Sequence, residues 1–475
     1  MEKKVIGFSN SIKHLFNKNK IKIAIFILLI LVVVISRFYK LSDTAFFVND
    51  QGRDIKVLYR MFTEKKMTLI GPATSFSGNY GNIYFGPYYY YFLLPFYLIS
   101  QSPYFMTAVF PILFIISIVL FFSVKELKFH QKLITGLLLT FSWFSLYYTR
   151  FLWNLNLAFL LSFVLFSLFL KFKKIIIKHW LMSLIFGLIS GMIFQIHYGM
   201  LFLYISLLVF FFKNKKNLLL YLSGFILSFF PFLLFDIRHE YVISKNILSY
   251  IYSLFTPHNG GLSVYSFFSI FAKIFDYYLF PLTSINNWLK IISALSIYVY
   301  VIFFNLRKRK EINLFIALSF IIFLFSFFIF KRSFDYYMAC FMIWFYFGLA
   351  LVIYENLKTI LGRSILVCLL ILFIGLNSYK YFSLPVNLLG LSKQNKIVTA
   401  IKGDLSKSHT KELSIIVFPH RDDVNSLEYL MVLDHYDITI VSKKKYYVCY
   451  GKCPDIKEAK VKFYSDENIF IYTNY

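Results

Sequence analysis

Asp50 and Asp54 stand four residues apart in the run Asn49-Asp50-Gln51-Gly52-Arg53-Asp54. On a helix that spacing stacks both carboxylates on one face, with Arg53 beside Asp50. Such a set can supply a general base tuned by a second carboxylate or a guanidinium. The same residues also suit a helix that starts with an N-cap at Asp50 and carries Arg53 and Asp54 as solvated charges. Arg150, Arg238 and the pair Lys331-Arg332 could fork onto phosphate oxygens, or could reach lipid headgroups from helix ends. His197 and His239 are candidate acid–base groups or hydrogen-bonded structural residues. Neither has a His or Cys nearby at metal-ligand spacing, so no metal is expected. The run Tyr88–Tyr91 could stack a sugar or form an interfacial aromatic belt. Cys449 and Cys453 flank Tyr-Gly-Lys, an insert suited to a tight turn, and a disulfide between them is expected in an oxidising compartment. Cys340 and Cys368 read as small core residues of helices.

The elements that must position these groups follow from composition. The chain has 475 residues, of which 59% are hydrophobic, 21% aromatic and only 15% charged. A soluble chain carries about 25% charged residues. Together with a mean hydropathy of +0.66, this excludes disorder, collagen, coiled coil and a disulfide scaffold, and leaves a polytopic membrane protein. The net charge of +27 would suggest nucleic acid on a soluble chain. On a membrane chain it has to be divided among the loops, because Lys and Arg collect on the cytoplasmic side.

About eleven transmembrane helices are expected: Ile21–Tyr39, Tyr104–Val124, Gln131–Tyr148, Phe151–Leu170, His179–Tyr198, Gly199–Phe212, Leu218–Phe235, Trp288–Phe304, Ile312–Phe330, Tyr336–Tyr354 and Ser364–Tyr379. The first is too long for a signal-peptide core, and Ser36-Arg37-Phe38-Tyr39 offers no small-residue cleavage site. With the basic N-terminus inside, each short inside loop is Lys- or Arg-bearing, as in Lys171/Lys173/Lys174/Lys178 and Arg307/Lys308/Arg309/Lys310. The C-terminus then lies outside. Tyr88–Ser100 is too short to span and Val264–Leu282 carries Lys273 and Asp276, so both read as interfacial or re-entrant helices. The long outer loops are 40–103 and 236–287. The more polar residues 385–475, with expected strands Leu413–Phe418, Ile438–Val441, Tyr446–Tyr450 and Asn468–Tyr472, read as a small extracytoplasmic α/β domain after a membrane domain of residues 1–384. On this topology the polar residues at helix ends, costly at membrane depth and so suggestive of function, converge on the outer face.

The order of motifs carries a resemblance. Asp50-Gln51-Gly52-Arg53-Asp54 precedes Leu69-Ile70-Gly71-Pro72 and Phe85-Gly86-Pro87-Tyr88-Tyr89-Tyr90. Arg150-Phe151-Leu152-Trp153-Asn154, Gln195-Ile196-His197-Tyr198 and Asp236-Ile237-Arg238-His239 follow. Over roughly Ile21 to Tyr379 the chain resembles the GT-C membrane glycosyltransferases of the protein mannosyltransferase and lipid A aminoarabinose transferase type. The resemblance implies a polyprenyl-phosphate sugar donor and a lipid, glycan or protein acceptor, with no cofactor and no nucleic acid. It implies a catalytic Asp on the first outer loop, which by position is Asp50. Where the mannosyltransferases follow that Asp with Glu, this chain has Gln51, so any second acid must be Asp54. Arg53, Arg150, Arg238 and Arg332 are the expected phosphate ligands. Tyr89, Trp153, Asn154, Gln195, His197 and His239 are expected around the sugar or acceptor. A lipid phosphate leaves already ionised and needs cations rather than a general acid. One Asp and one Arg therefore suffice for an inverting single displacement. The competing readings are a transporter or flippase, which would place polar groups and broken helices near the bilayer midplane, and a non-catalytic component of cell-envelope polysaccharide assembly.

Overall fold

A computed structural model describes residues 2–255, 264–282, 284–330, 335–383, 389–408, 410–419, 424–439, 442–451, 461–466 and 469–474. The first apolar run lies in α1 (Glu2–Phe38). A single turn, α2 (Leu41–Thr44), leads to the amphipathic α3 (Asn49–Glu64). A hairpin of β1 (Ala73–Gly78) and β2 (Gly81–Tyr84) and then α4 (Tyr88–Ile99) complete the first long connection. The next helices are α5 (Pro103–Phe122), α6 (Phe129–Phe141), α7 (Trp143–Tyr148), α8 (Asn154–Lys178) and α9 (Trp180–Ile196). After them come α10 (Leu201–Leu207), α11 (Lys215–Leu227), α12 (Phe230–Arg238), α13 (Val242–Phe255) and α14 (Val264–Ile274). The last four helices of the bundle are α15 (Asn287–Lys308), α16 (Glu311–Phe330), α17 (Asp335–Asn356) and α18 (Ile360–Phe382).

All eleven expected spans fall on helix. Among the described residues, six helices are long and apolar enough to cross a bilayer: the Lys20–Phe38 part of α1, and α5, α8, α15, α17 and α18. The pair α11 and α12, bent by 43°, makes a seventh if it counts as one span. The remaining segments are short or interrupted for identifiable reasons. Pro231, second in α12, lacks the N–H that would continue α11. Between α6 and α7, Ser142 leaves the helix, and its Oγ accepts the Ser145 N–H at 3.2 Å. The end of α6 that this break exposes is capped by Arg37, whose Nη2 and Nη1 donate to the carbonyls of Leu139 at 2.8 Å and Thr140 at 3.2 Å.

Bundle packing follows the rule for apolar surroundings, where close backbone approach and van der Waals contact replace hydrophobic drive. Helices α9 and α11 cross so tightly that a Cβ on Gly187 would lie 1.9 Å from the Tyr221 carbonyl oxygen, and one on Gly224 would lie 2.0 Å from that of Leu184. Helices α8 and α17 form the centre, with 72% and 78% of their apolar windows buried, whereas α1 and α18 are peripheral at 17% and 11%. Cys340 is buried in α17. Cys368 in α18, expected in the core, is exposed, because α18 lies at the periphery of the bundle.

Beyond residue 389, α19 (Leu391–Ser408), β3 (Glu412–Phe418), α20 (Val424–Val432), β4 (Asp437–Ile438), β5 (Lys445–Tyr450), β6 (Val461–Asp466) and β7 (Ile469–Thr473) form an α/β unit. Its sheet has the order β4-β3-β5-β7-β6. Strand β3 runs parallel to β4 and β5, and β7 pairs antiparallel with β5 and β6. Cys449 in β5 is disulfide-bonded; Cys453 lies outside the described residues.

This unit is seated on the first connection. Phe47 N–H donates to the Leu389 carbonyl at 3.0 Å and Leu391 N–H to that of Ala45 at 3.3 Å. Helix α20 lies against α3. Lys56 pairs with Glu428 and donates to Asn425 Oδ1 at 3.0 Å, and Asn425 Nδ2 reaches Asn49 Oδ1 at 2.6 Å. At the crossing, a Cβ on Gly52 would lie 2.3 Å from the backbone nitrogen of Ser426. Gly52→Ala therefore forces backbone against backbone, and no side chain can swing aside. The expected result is a loss of about 1–3 kcal/mol, measured as a lowered thermal midpoint together with faster proteolytic release of the segment after residue 384.

Candidate active site

Helix α3 is the frame of the site. Gln51 Oε1 accepts the Val48 N–H at 3.2 Å, which satisfies one of the free donors at the helix start. Residues Gln51, Gly52, Asp54, Ile55, Leu58 and Met61 form its buried face. Asp50 and Asp54 do share the side that Arg53 reaches, but their environments differ sharply. The Asp54 side chain is fully buried, while that of Asp50 is 40% exposed.

Arg53 bridges the two. Its Nε and Nη2 donate to Asp54 Oδ1 at 2.9 and 2.8 Å, and its Nη1 donates to Asp50 Oδ1 at 2.9 Å. The Tyr90 hydroxyl donates to the same Asp54 oxygen at 3.0 Å. Burial pushes the Asp54 carboxyl up to about 6, against the pull of Arg53. For Arg53, burial opposes the charge but Asp54 and Asp50 outweigh it, so its pKa is raised and it stays protonated. Asp54 Oδ2 and the Tyr89 hydroxyl behind it are buried without hydrogen-bond partners.

Two cavities meet at Asp50. One, of 180 Å³, is lined by Asp50, Arg53, Asn154, His197 and Tyr337 among others. The second, of 300 Å³, is aromatic, with Phe46, Tyr147, Tyr148 and Phe151, and it also holds Asp335. Asp50, Trp153 and Tyr336 line both. The Trp153 ring is stacked on Phe151 and Tyr148, each at 24°, and meets Tyr336 edge-on. In the smaller cavity His197 Nδ1 accepts the Gly199 N–H at 3.1 Å, which leaves the proton on Nε2 as a donor. Its ring stacks on Phe85, with centroids 5.0 Å apart. Asn154 Nδ2 is committed to the Ile196 carbonyl at 3.0 Å.

Of the residues singled out from sequence, Asp50, Arg53, Trp153, Asn154 and His197 come together here, with Asp54 directly behind them. The others do not. Arg150 is buried, donates to the Tyr39 carbonyl and lies 5.4 Å from the centre of the Tyr381 ring, so its guanidinium is used in packing. Gln195 is buried and donates to Ser228 Oγ at 2.8 Å. Tyr89 backs Asp54 rather than lining either cavity. Arg238 and His239 are exposed beyond the cavities, and His239 stacks on Phe235. Their neighbour Asp236 caps α13 by accepting the Ile243 N–H at 2.7 Å. Arg332 lies outside the described residues. Absent from the sequence-derived set were Tyr336, Tyr337 and Asp335, the last paired with Lys273 at 2.7 Å. Their signal was present, since Asp335-Tyr336 opens an expected span.

No family model matches the chain, and no curated protein matches it in sequence. Among solved structures, the crystal structure of ArnT from Cupriavidus metallidurans bound to undecaprenyl phosphate superposes with a TM-score of 0.59, covering 94% of this chain and 98% of that one at 11% identity. The chain has the ArnT fold. The apo-state ArnT structure gives the same picture, with a TM-score of 0.57 and coverage of 94% and 97%, again at 11% identity. The likeness runs over 94% of the chain.

The Arg53 bridge makes a stability prediction. Arg53→Met leaves Asp54 buried without its counter-charge. The expected cost at pH 7 is about 2 kcal/mol, below the usual penalty for breaking a buried pair because Arg53 is itself a third exposed. Without Arg53 the Asp54 pKa rises further, so the cost is smallest below about pH 6, where Asp54 is protonated in both folded proteins, and grows as pH rises through 6, where only the wild-type carboxyl ionises. Thermal unfolding of the two proteins at pH 5 and pH 7.5 measures the difference.

Proposed function

We propose that the chain is a membrane glycosyltransferase that moves a sugar from a polyprenyl-phosphate donor to an acceptor hydroxyl. The observation that carries this reading is the position of Asp50, half-exposed at the meeting point of two cavities in a chain with the ArnT fold. A transfer reaction needs that geometry, with one base reached by two substrates. The undecaprenyl phosphate bound to the ArnT structure supports a lipid phosphate as the donor's carrier. Arg53 is the cation among the described residues lining the two cavities, so it takes the phosphate. The aromatic cavity with Trp153 and Tyr147 takes the acceptor.

In the reaction, the acceptor oxygen attacks the anomeric carbon from the face opposite the phosphate. Its proton passes to Asp50, whose Oδ1 is held by Arg53 and whose Oδ2 takes the proton. The bond from the anomeric carbon to the phosphate oxygen breaks, and its electron pair leaves with the phosphate. Arg53 stabilises the charge that develops there, the anomeric centre inverts, and no general acid is required. Asp54 fixes Arg53 and stays out of the proton transfer. The topology expected from the basic loops, about eleven spans with the N-terminus cytoplasmic and residues 385–475 outside, supports an outer-face site, where the lipid-linked donor is already in the membrane.

Purified protein supplied with a panel of polyprenyl-phosphate sugars tests the reading. Asp50→Asn is expected to lower turnover about 10²–10⁴-fold, the usual contribution of a positioned base, with folding unchanged. Full activity in that variant removes Asp50 from the mechanism. Asp54 adds a pH dependence. Below about pH 6 it takes up a proton and Arg53 loses its anchor, so activity should fall as pH drops through 6. In Asp54→Asn that limb should move to lower pH while the plateau drops.

A further inference from the structure

A third cavity lies at the opposite end of helices α8 and α17 from the candidate site. It has a volume of 540 Å³. Helix α17 runs from Tyr336 at the site to Tyr354 at this cavity, and α8 runs from Asn154 to Lys173. Eighteen residues of helix span about 27 Å, close to the roughly 30 Å of a bilayer's hydrocarbon core. The cavity therefore opens at the other membrane surface and belongs to no part of the candidate active site.

Its charges come from four separate places: Glu126 and Lys128 ahead of α6, Lys173 of α8, Lys308, Arg309, Lys310 and Glu311 at the α15–α16 turn, and Glu355 of α17. Two of the three carboxylates are each shared by two lysines. Glu311 pairs with Lys173 and, at 3.7 Å, with Lys213. Glu355 pairs with Lys358 and, at 3.6 Å, with Lys308. Lys128 instead donates to the Tyr354 hydroxyl at 3.1 Å and lies 5.1 Å from the centre of that ring. Arg309 and Lys310 have no carboxylate partner among the described residues. The first turn of α16, Glu311 to Asn313, also lines the cavity, and its backbone N–H groups add positive potential. Lysines that only orient a chain in the membrane have no need to share a cavity. Here a surplus of cations, with Tyr354 and Gln131 as further polar groups, lines a half-open pocket at headgroup depth.

We propose that this cavity binds a phosphate ester, the headgroup of an anionic phospholipid in the leaflet opposite the active site. Arg309, Lys310 and Lys128 contact the phosphate. A basic pocket between helices at a membrane surface has the chemistry for such headgroups, and the guanidinium of Arg309 supplies a forked contact.

The test uses the full-length protein in detergent, with native mass spectrometry counting retained phosphatidylglycerol against phosphatidylcholine. Wild type should retain phosphatidylglycerol selectively. R309Q/K310Q should lower that retention by about tenfold or more, and R309K/K310R should restore it. K174Q/K178Q removes two exposed lysines at the same end of α8 but outside the cavity, and should change little. Equal losses in both glutamine pairs would mean diffuse surface charge and would overturn the cavity site, as would undiminished retention in R309Q/K310Q. Added glycerol phosphate separates the sources. Failure to displace the lipid upholds a headgroup site, and displacement at low millimolar concentration overturns the lipid in favour of a soluble phosphate ester.

Discussion

The Arg53 bridge is the interaction on which the site depends. A guanidinium taken partly out of water at a membrane surface needs counter-charge, and two carboxylates supply it. With Asp50 alone, Arg53 would neutralise the base. With Asp54 fully buried and bonded through both Nε and Nη2, the Arg53–Asp54 pair is nearly self-sufficient. Asp50 then receives a single further hydrogen bond and keeps a net negative charge on the trio. Two carboxylates four residues apart thus acquire different roles from burial alone: one lies open to both cavities, and the other is an anchor with a raised pKa.

An anchor works only if the helix that carries it is fixed, and α3 is not part of the bundle. It lies between the membrane helices and the C-terminal unit. Tyr90 from α4 holds it on one side through Asp54, and α20 holds it on the other through Gly52, Lys56 and Asn49. Helix α3 is therefore clamped between residues separated by more than three hundred positions in sequence. The C-terminal unit packs directly on the helix that carries Asp50 and Arg53.

This explains what could be read in the sequence. Apolar runs long enough to span report themselves, so the six long apolar helices were legible, as were four of the strands. The D-x-x-x-D spacing around Arg53 marked out helix α3 and the shared side of its two carboxylates, because helical stacking is a local property. Strand β6, the helices α19 and α20 and the docking of α20 were not legible. The polar segments that form them have weak periodicity, and the requirement for glycine at position 52 appears only when the backbone of Ser426 lies against it. Breaks such as Ser142 were also hidden, because an apolar run reads as continuous whether or not a serine turns the chain within it.

The arginines show the same limit in a form that bears on mechanism. Arg37, Arg150, Arg238 and Arg53 look alike in sequence, each a cation at the edge of an apolar segment. Arg37 donates to the free carbonyls at the end of α6 and lies 4.2 Å from the centre of the Phe114 ring. Arg150 donates to the Tyr39 carbonyl. A broken helix leaves carbonyls that water cannot reach, and a guanidinium with five donors is well suited to satisfy them. Arg37 and Arg150 are therefore consumed by the bundle's own backbone. A cation that must remain available to a ligand has to be held by carboxylates that leave one of its faces toward a cavity, and it has to sit on an element outside the bundle. Among the described residues lining the two cavities, Arg53 on α3 meets both conditions. In the proposed reaction, phosphate recognition thus falls to the same short helix that carries Asp50.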